Sequence, residues 1–89
     1  MERREVIYRG RVQGVGFRYT AQRIAAGYRV AGFVANLPNG SVHLVAEGAA
    51  DEVENYLSEI ARAMGDCIER VHAERLTASG EFDGFEIRH

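Results

Sequence analysis

Gln13-Gly14-Val15-Gly16-Phe17-Arg18 places two glycines one residue apart with a cation close behind them. Glycine reaches backbone angles closed to other residues, so such a stretch can turn consecutive N–H groups toward one point. A helix opening just beyond adds the positive end of its dipole. An arginine in the first helical turn then brings a planar fork of donors to the same anion. The combination suits a small oxyanion. Larger nucleotide ligands are excluded by spacing and inventory. The dinucleotide motif needs glycine at position 19, where Tyr19 stands, and the Walker loop needs a lysine, of which the chain has none. Schiff-base chemistry is lost for the same reason. Spacing alone equally admits a tight turn followed by a solvated helix arginine.

Asn36 is the second polar residue of interest. It stands just before Pro38-Asn39-Gly40, where asparagine commonly bonds the local backbone, or where its amide could aim a water. His43, His72, His89 and Cys67 do not show the spacing of a metal site, and the expectation is a protein without metal or cofactor. No Ser/His/Asp grouping can be assembled. Asp51, Glu52 and Glu54 read as partners of a helix dipole.

These residues need a frame. Glu5 to Val12 carries Val6, Ile7, Tyr8 and Val12, β-formers that stop at the glycine loop. Phe17, Ala21, Ile24, Ala25 and Tyr28 fall on one helical face, with Gly27 as the expected stop. Arg29 to Leu37 and Ser41 to Glu47 read as strands joined through Asn39-Gly40, and a two-residue turn there would set Leu37 opposite Val42. Pro38 leaves the loop length open. Asp51 to Met64 is the clearest helix, with Val53, Tyr56, Leu57, Ile60, Ala61 and Met64 at helical spacing and Gly65 to end it. Ile68 to Leu76 is a weaker strand, Thr77 to Glu81 a turn, and Gly84 to Arg88 a short last strand. The order is β-α-β-β-α-β with a short addition. Two amphipathic helices need a sheet to cover, and right-handed crossovers lead to an α+β, ferredoxin-like sandwich: a mainly antiparallel sheet with both helices on one face. At 89 residues the chain is expected to form a single domain, 1–89.

Charge narrows the partner. Residues 1–29 hold seven arginines against two glutamates, and residues 30–89 hold four against eleven acids. The N-terminal third therefore favours anions, while the net charge of −2 argues against a broad nucleic-acid surface. Gly14 to Tyr19 faintly echoes an RNA-binding strand motif, but it falls at a loop and helix start instead of on a strand, so no nucleic acid is expected. Cys67 has no partner for a disulfide, and a free thiol suits a reducing compartment, so the cytoplasm is the expected location. No apolar stretch resembles a signal peptide or spans a bilayer, and no membrane association is expected. A monomer acting on a small molecule fits these readings.

Gly10-Arg11-Val12-Gln13-Gly14-Val15-Gly16-Phe17-Arg18, then Gly32-Phe33-Val34-Ala35-Asn36, then Asn39-Gly40-Ser41-Val42, and finally Gly84-Phe85-Glu86-Ile87-Arg88 closely resemble the acylphosphatases over nearly the whole chain. The resemblance implies metal-independent hydrolysis of acyl phosphates to a carboxylate and phosphate on a ferredoxin-like fold. It implies that Arg18, with the main chain of Gln13, Gly14, Val15, Gly16, Phe17 and Arg18 itself, grips the phosphoryl group. It also implies that Asn36 orients the attacking water. Two departures lie outside this motif: Asn39-Gly40 replaces the family's usual Asp-Gly, and Gly65-Asp66-Cys67 replaces a common Gly-Pro phrase. A non-catalytic anion-binding module, as in acylphosphatase-like domains fused to larger enzymes, is the rival reading.

Overall fold

The computed structural model describes residues 1–89. In chain order it forms β1 (Glu2–Gly10), α1 (Phe17–Ala25), β2 (Val30–Asn36), β3 (Val42–Gly48), α2 (Ala50–Met64), β4 (Ile68–Thr77) and β5 (Phe85–Arg88), with a single 3₁₀ turn, Gly65–Cys67, ahead of β4. The five strands lie in the order β4-β1-β3-β2-β5. All neighbours are antiparallel except β2 and β5. This is the expected ferredoxin-like α+β sandwich, with β5 added beside β2.

Alternation along the strands decides which side each residue faces. Val6 and Tyr8 of β1, Val34 of β2, and Val42, Leu44 and Ala46 of β3 form the buried floor of one core. The helices roof it with Phe17, Ala21, Ile24 and Ala25 from α1 and Val53, Tyr56, Ile60 and Met64 from α2. The Tyr56 hydroxyl donates to the Ala21 carbonyl at 2.8 Å, binding α2 to α1, and burial pushes that phenol well above its ordinary range. Asp51 and Glu52 occupy the first turn of α2 and Arg62 its last, both favourable to the helix dipole.

Three sequence expectations are corrected. The hairpin between β2 and β3 puts Asn36, not Leu37, opposite Val42. Leu37 N–H donates to the Ser41 carbonyl and Gly40 N–H to the Leu37 carbonyl, so three residues form the loop. Pro38 takes the second place of the turn and Gly40, at φ 93°, the left-handed closing place. A slip of one residue exchanges the faces of a strand, so this register sends Asn36 to the helix side with Val34. The second concerns Tyr28, which the apolar stripe placed on α1: the helix closes at Ala25 with Ala26 as its cap, just before the expected stop at Gly27. Gly27 and Tyr28 N–H groups then bond carbonyls three residues back, without a left-handed glycine cap. Tyr28 still reaches the core edge, and its hydroxyl donates to Glu59 at 2.6 Å.

The third correction lies beyond β4, which runs on to Thr77. Where a simple turn was expected, residues 78–84 lie across the face of the sheet opposite the helices. Ser79 donates through its N–H and hydroxyl to one Glu47 carboxylate oxygen at 2.8 and 2.9 Å, and Gly80 N–H donates to the other at 3.0 Å. Phe82 settles on Phe33 with ring centres 5.9 Å apart. Arg88 lies 4.0 Å over the Phe33 ring and Arg3 5.5 Å from Phe82. Burial pushes the Glu47 carboxyl upward, but the Ser79 and Gly80 donors and the Arg3 charge outweigh it, and its pKa is lowered overall.

A carboxylate with a lowered folded-state pKa contributes fully above its unfolded pKa, about 4.3 for Glu. The contribution is lost as pH falls through the folded value. Glu47→Ala is therefore expected to reduce unfolding stability by about 1–3 kcal/mol at pH 7, with the gap closing toward pH 3. Urea unfolding of both proteins at the two pH values measures it; an equal gap at both would mean that the carboxylate's charge contributes nothing.

Candidate active site

Phe17 begins both α1 and the core. Its ring is buried and stacks at a tilt on Tyr8, centres 4.9 Å apart, which fixes the helix entrance over the end of β1. The chain between them must turn sharply, and Gly14 (φ 76°) and Gly16 (φ 80°) supply left-handed angles on either side of Val15, whose φ is negative. An added Cβ would meet nothing within 4 Å at either glycine, so the requirement is for the angle and not for space. Alternation of this kind turns successive N–H groups to one side, as in an anion-binding nest.

The N–H groups of residues 14 through 19 donate to no atom of the chain. Gly16 caps α1 without a side-chain acceptor, and its carbonyl takes the first helical bond, from Thr20 at 2.9 Å. Free donors at a helix start attract an oxyanion, and α1 carries no acidic residue in its first turn to compete.

Gly14, Gly16, Phe17, Arg18 and Asn36 line one hollow of about 190 Å³. That is below the roughly 300–1,000 Å³ of drug-sized ligand sites, so the hollow suits a small ligand. Val12 and Ile87 supply apolar wall, and Tyr19 and His89 complete the lining. No Asp or Glu side chain borders it. Arg18 takes part in none of the chain's ion pairs. Its Nη1 instead donates to the Arg88 carbonyl at 3.4 Å and lies 3.3 Å from His89 Nδ1. No carboxylate of the chain thus neutralises the guanidinium, and most of its donors are left for a ligand.

Asn36 arrives from β2 through the register described above. Its Oδ1 is buried yet accepts no hydrogen bond within the protein, and a buried polar oxygen ordinarily has a donor. The Gln13 side chain is used differently from the loop around it. Its Nε2 donates to the Leu37 and Ser41 carbonyls at 2.8 and 2.9 Å, tying the glycine loop to the β2–β3 turn that carries Asn36. Gln13 and Val15 do not line the hollow, and Val15 is exposed.

Sequence inspection missed four lining residues. Val12 and Ile87 could have been found from strand alternation, since Phe85 and Ile87 share the helix side. Tyr19 and His89 carry no pattern that would reveal them. No three His, Cys, Asp or Glu side chains converge on a common point, and no helix is long and apolar enough to cross a membrane.

A five-stranded ferredoxin-like sandwich with an electropositive, amide-bordered hollow at the start of its first helix defines the class: a small α+β domain with an anion site. Comparison with known proteins narrows this. The acylphosphatase family model matches residues 4–87. An acylphosphatase from Methanospirillum hungatei is 40% identical over 90 residues, covering 99% of this chain and 98% of the relative. The crystal structure of acylphosphatase from Bacillus subtilis superposes with a TM-score of 0.89 at 26% identity, covering both chains in full. That of an acylphosphatase from Coxiella burnetii gives 0.83 at 27% identity, over 98% of this chain and 93% of the other. The chain belongs to the acylphosphatase family and is an enzyme.

Because Gln13 bridges the loop and the turn, Gln13→Ala is expected to cost about 1–3 kcal/mol of stability. It should also speed amide hydrogen exchange selectively at Leu37, Asn39, Gly40 and Ser41. Unchanged exchange there would show that the bridge does not hold the turn.

Proposed function

We propose that this enzyme hydrolyses acyl phosphates to a carboxylate and inorganic phosphate, with the phosphoryl group held by the loop amides and Arg18 and the water aimed by Asn36. One observation carries the reading. The unpaired N–H groups of residues 14–19, the uncompensated Arg18 guanidinium and the orphaned Asn36 oxygen belong to a single hollow and its border. The relatives named as acylphosphatases point the same way.

The chemistry needs little more than this. An acyl phosphate is a mixed anhydride whose leaving group, a carboxylate, is stable at neutral pH, so its departure does not depend on a general acid. Phosphoryl transfer relies on positioning and on neutralising oxygen charge. Arg18 and the amides supply both, and no metal or organic cofactor is required in principle. The Asn36 oxygen accepts a hydrogen bond from water and holds its lone pair toward phosphorus. The water oxygen bonds to phosphorus as the bond from phosphorus to the acyl oxygen breaks. The amide has no useful proton affinity near pH 7, so Asn36 is no general base. The released proton passes to a phosphoryl oxygen of the substrate. Every part of the site comes from one chain, so a monomer is the competent unit, its 89 residues act as one domain, and a reducing cytoplasm suits its free Cys67.

Three measurements test these roles. Arg18→Ala should lower kcat/KM for acetyl phosphate on the order of 10³-fold or more, while the fold persists by circular dichroism. Asn36→Ala should lower kcat far more than it changes KM; full turnover by either folded variant removes that residue's role. In His89→Gln, which lacks the imidazole beside Arg18, the pH–rate profile should show no enzyme group titrating near pH 6.5, about where histidine ionises. A persistent step there would mean that another side chain takes the proton.

A further inference from the structure

β4 is an edge strand of ten residues with no neighbour beyond it. Every residue from Glu69 to Leu76 is exposed, including Val71 (55%) and Leu76 (42%). Such an edge offers a row of unpaired backbone groups to another strand, and natural proteins usually protect it with charge or by covering it. Here the charges are present, but their order invites pairing.

The strand reads Glu69-Arg70-Val71-His72-Ala73-Glu74-Arg75. It is a charge palindrome centred on His72. In an antiparallel pairing of two copies about a two-fold axis at His72, Arg70 faces Glu74 of the other copy. Val71 faces Ala73, while Glu69 sits at the bulge where the register of β4 against β1 shifts, and Arg75 already lies 3.4 Å from Glu2 of its own chain. Opposed residues must share both a face and a hydrogen-bonding parity, which leaves few alternative registers. Centring on Arg70 or Glu74 sets like charges against each other. Centring on Val71 sets Arg70 against His72, and centring on Ala73 sets Arg70 against Leu76. The His72 register alone sets Arg70 against Glu74 of the other copy, once on each side of the axis.

The neighbouring strand strengthens the case. On the face away from the helices, Arg9 of β1 lies directly opposite Arg70, and Glu5 opposite Glu74. Ile7, Arg9, Arg70 and His72 border one shallow hollow there. Like charges directly across a sheet are unfavourable, and neither Arg9 nor Arg70 has a carboxylate partner in the chain. Joining two copies in the His72 register would complete each row as Arg9, Arg70, Glu74 of the other copy, Glu5 of the other copy. Each Arg70 and each Glu74 thereby gains an oppositely charged neighbour in the other copy, which offsets its like-charge contact with Arg9 or Glu5 in its own.

We propose that the β4 edge is a self-recognition surface through which two copies of this chain join their sheets into one of ten strands. The contact is remote in chemistry from the glycine loop, and it leaves the monomer competent for catalysis. An edge pairing buries less than a standard interface, so the association is weak, with a midpoint on the order of 100 µM at low salt.

Sedimentation equilibrium of the full chain at low salt tests this. Between ~10 µM and ~1 mM the mass is expected to rise from one chain to two and stop, since a two-fold contact closes. Arg70→Glu turns both Arg70–Glu74 attractions into repulsions and should weaken association ~10-fold or more. The double variant Arg70→Glu with Glu74→Arg restores the palindrome and should return to within ~3-fold of the original protein. His72→Lys, which sets two ammonium groups together on the axis, should produce the same loss and serves if Arg70→Glu fails to fold. A wild-type mass of one chain at ~1 mM overturns the proposal. So does open-ended growth, association unaltered by a folded single variant, or a double variant no stronger than Arg70→Glu.

Discussion

Six consecutive peptide N–H groups are left without internal acceptors at the entrance of α1, and the molecule must hold them in place. Unpaired donors are costly when shielded from water, and a loop carrying them would relax if it could. Phe17 holds one side by sinking its ring into the core against Tyr8. Gln13 holds the other by bonding two carbonyls of the β2–β3 turn. Between these anchors, the two left-handed glycines set the direction of the amides. The core of this small protein thus has two duties, stability and the aim of its backbone donors, and Phe17 serves both.

The fold was legible in the sequence because its signals are periodic. Val53, Tyr56, Ile60 and Met64 announce α2, and Val42, Leu44 and Ala46 announce β3, since each of these side chains is buried in the one core, although Leu57 of the same stripe is only half-buried and Ala61 is exposed. The ends of elements were less legible. The α1 stripe suggested continuation to Tyr28, whereas the helix closes at Ala25 and Tyr28 reaches the core from a turn. Asn39-Gly40 signalled a hairpin, but Pro38 lengthened its loop by one residue. That single residue decides which face Asn36 occupies. The crossing of residues 78–84 over the sheet was invisible, because Phe82 and Glu47 are far apart in sequence and neither belongs to a repeating pattern.

The site was legible to a different degree. The glycine spacing and Arg18 suggested an anion cradle, and the family resemblance suggested what it would hold. Gln13 stood within the same phrase, where its main chain was expected to join the cradle. Only the folded arrangement shows that its side chain serves a second purpose, turning to the hairpin. Likewise, no local pattern joins Asn36 to Arg18. They meet because β2 ends where α1 begins, a consequence of strand order and not of sequence proximity.

The Arg18 guanidinium rests on the carbonyl of Arg88 and beside the ring of His89, so the chain's last two residues form part of the hollow's border. Met1 leads into the opposite end of β1, where Glu2 pairs with Gly48 and Thr77, the full length of a nine-residue strand away. The two termini are therefore unequal places to attach anything. A purification tag or reporter joined ahead of Met1 emerges far from the glycine loop, while one joined after His89 starts at its doorway and would crowd incoming ligand.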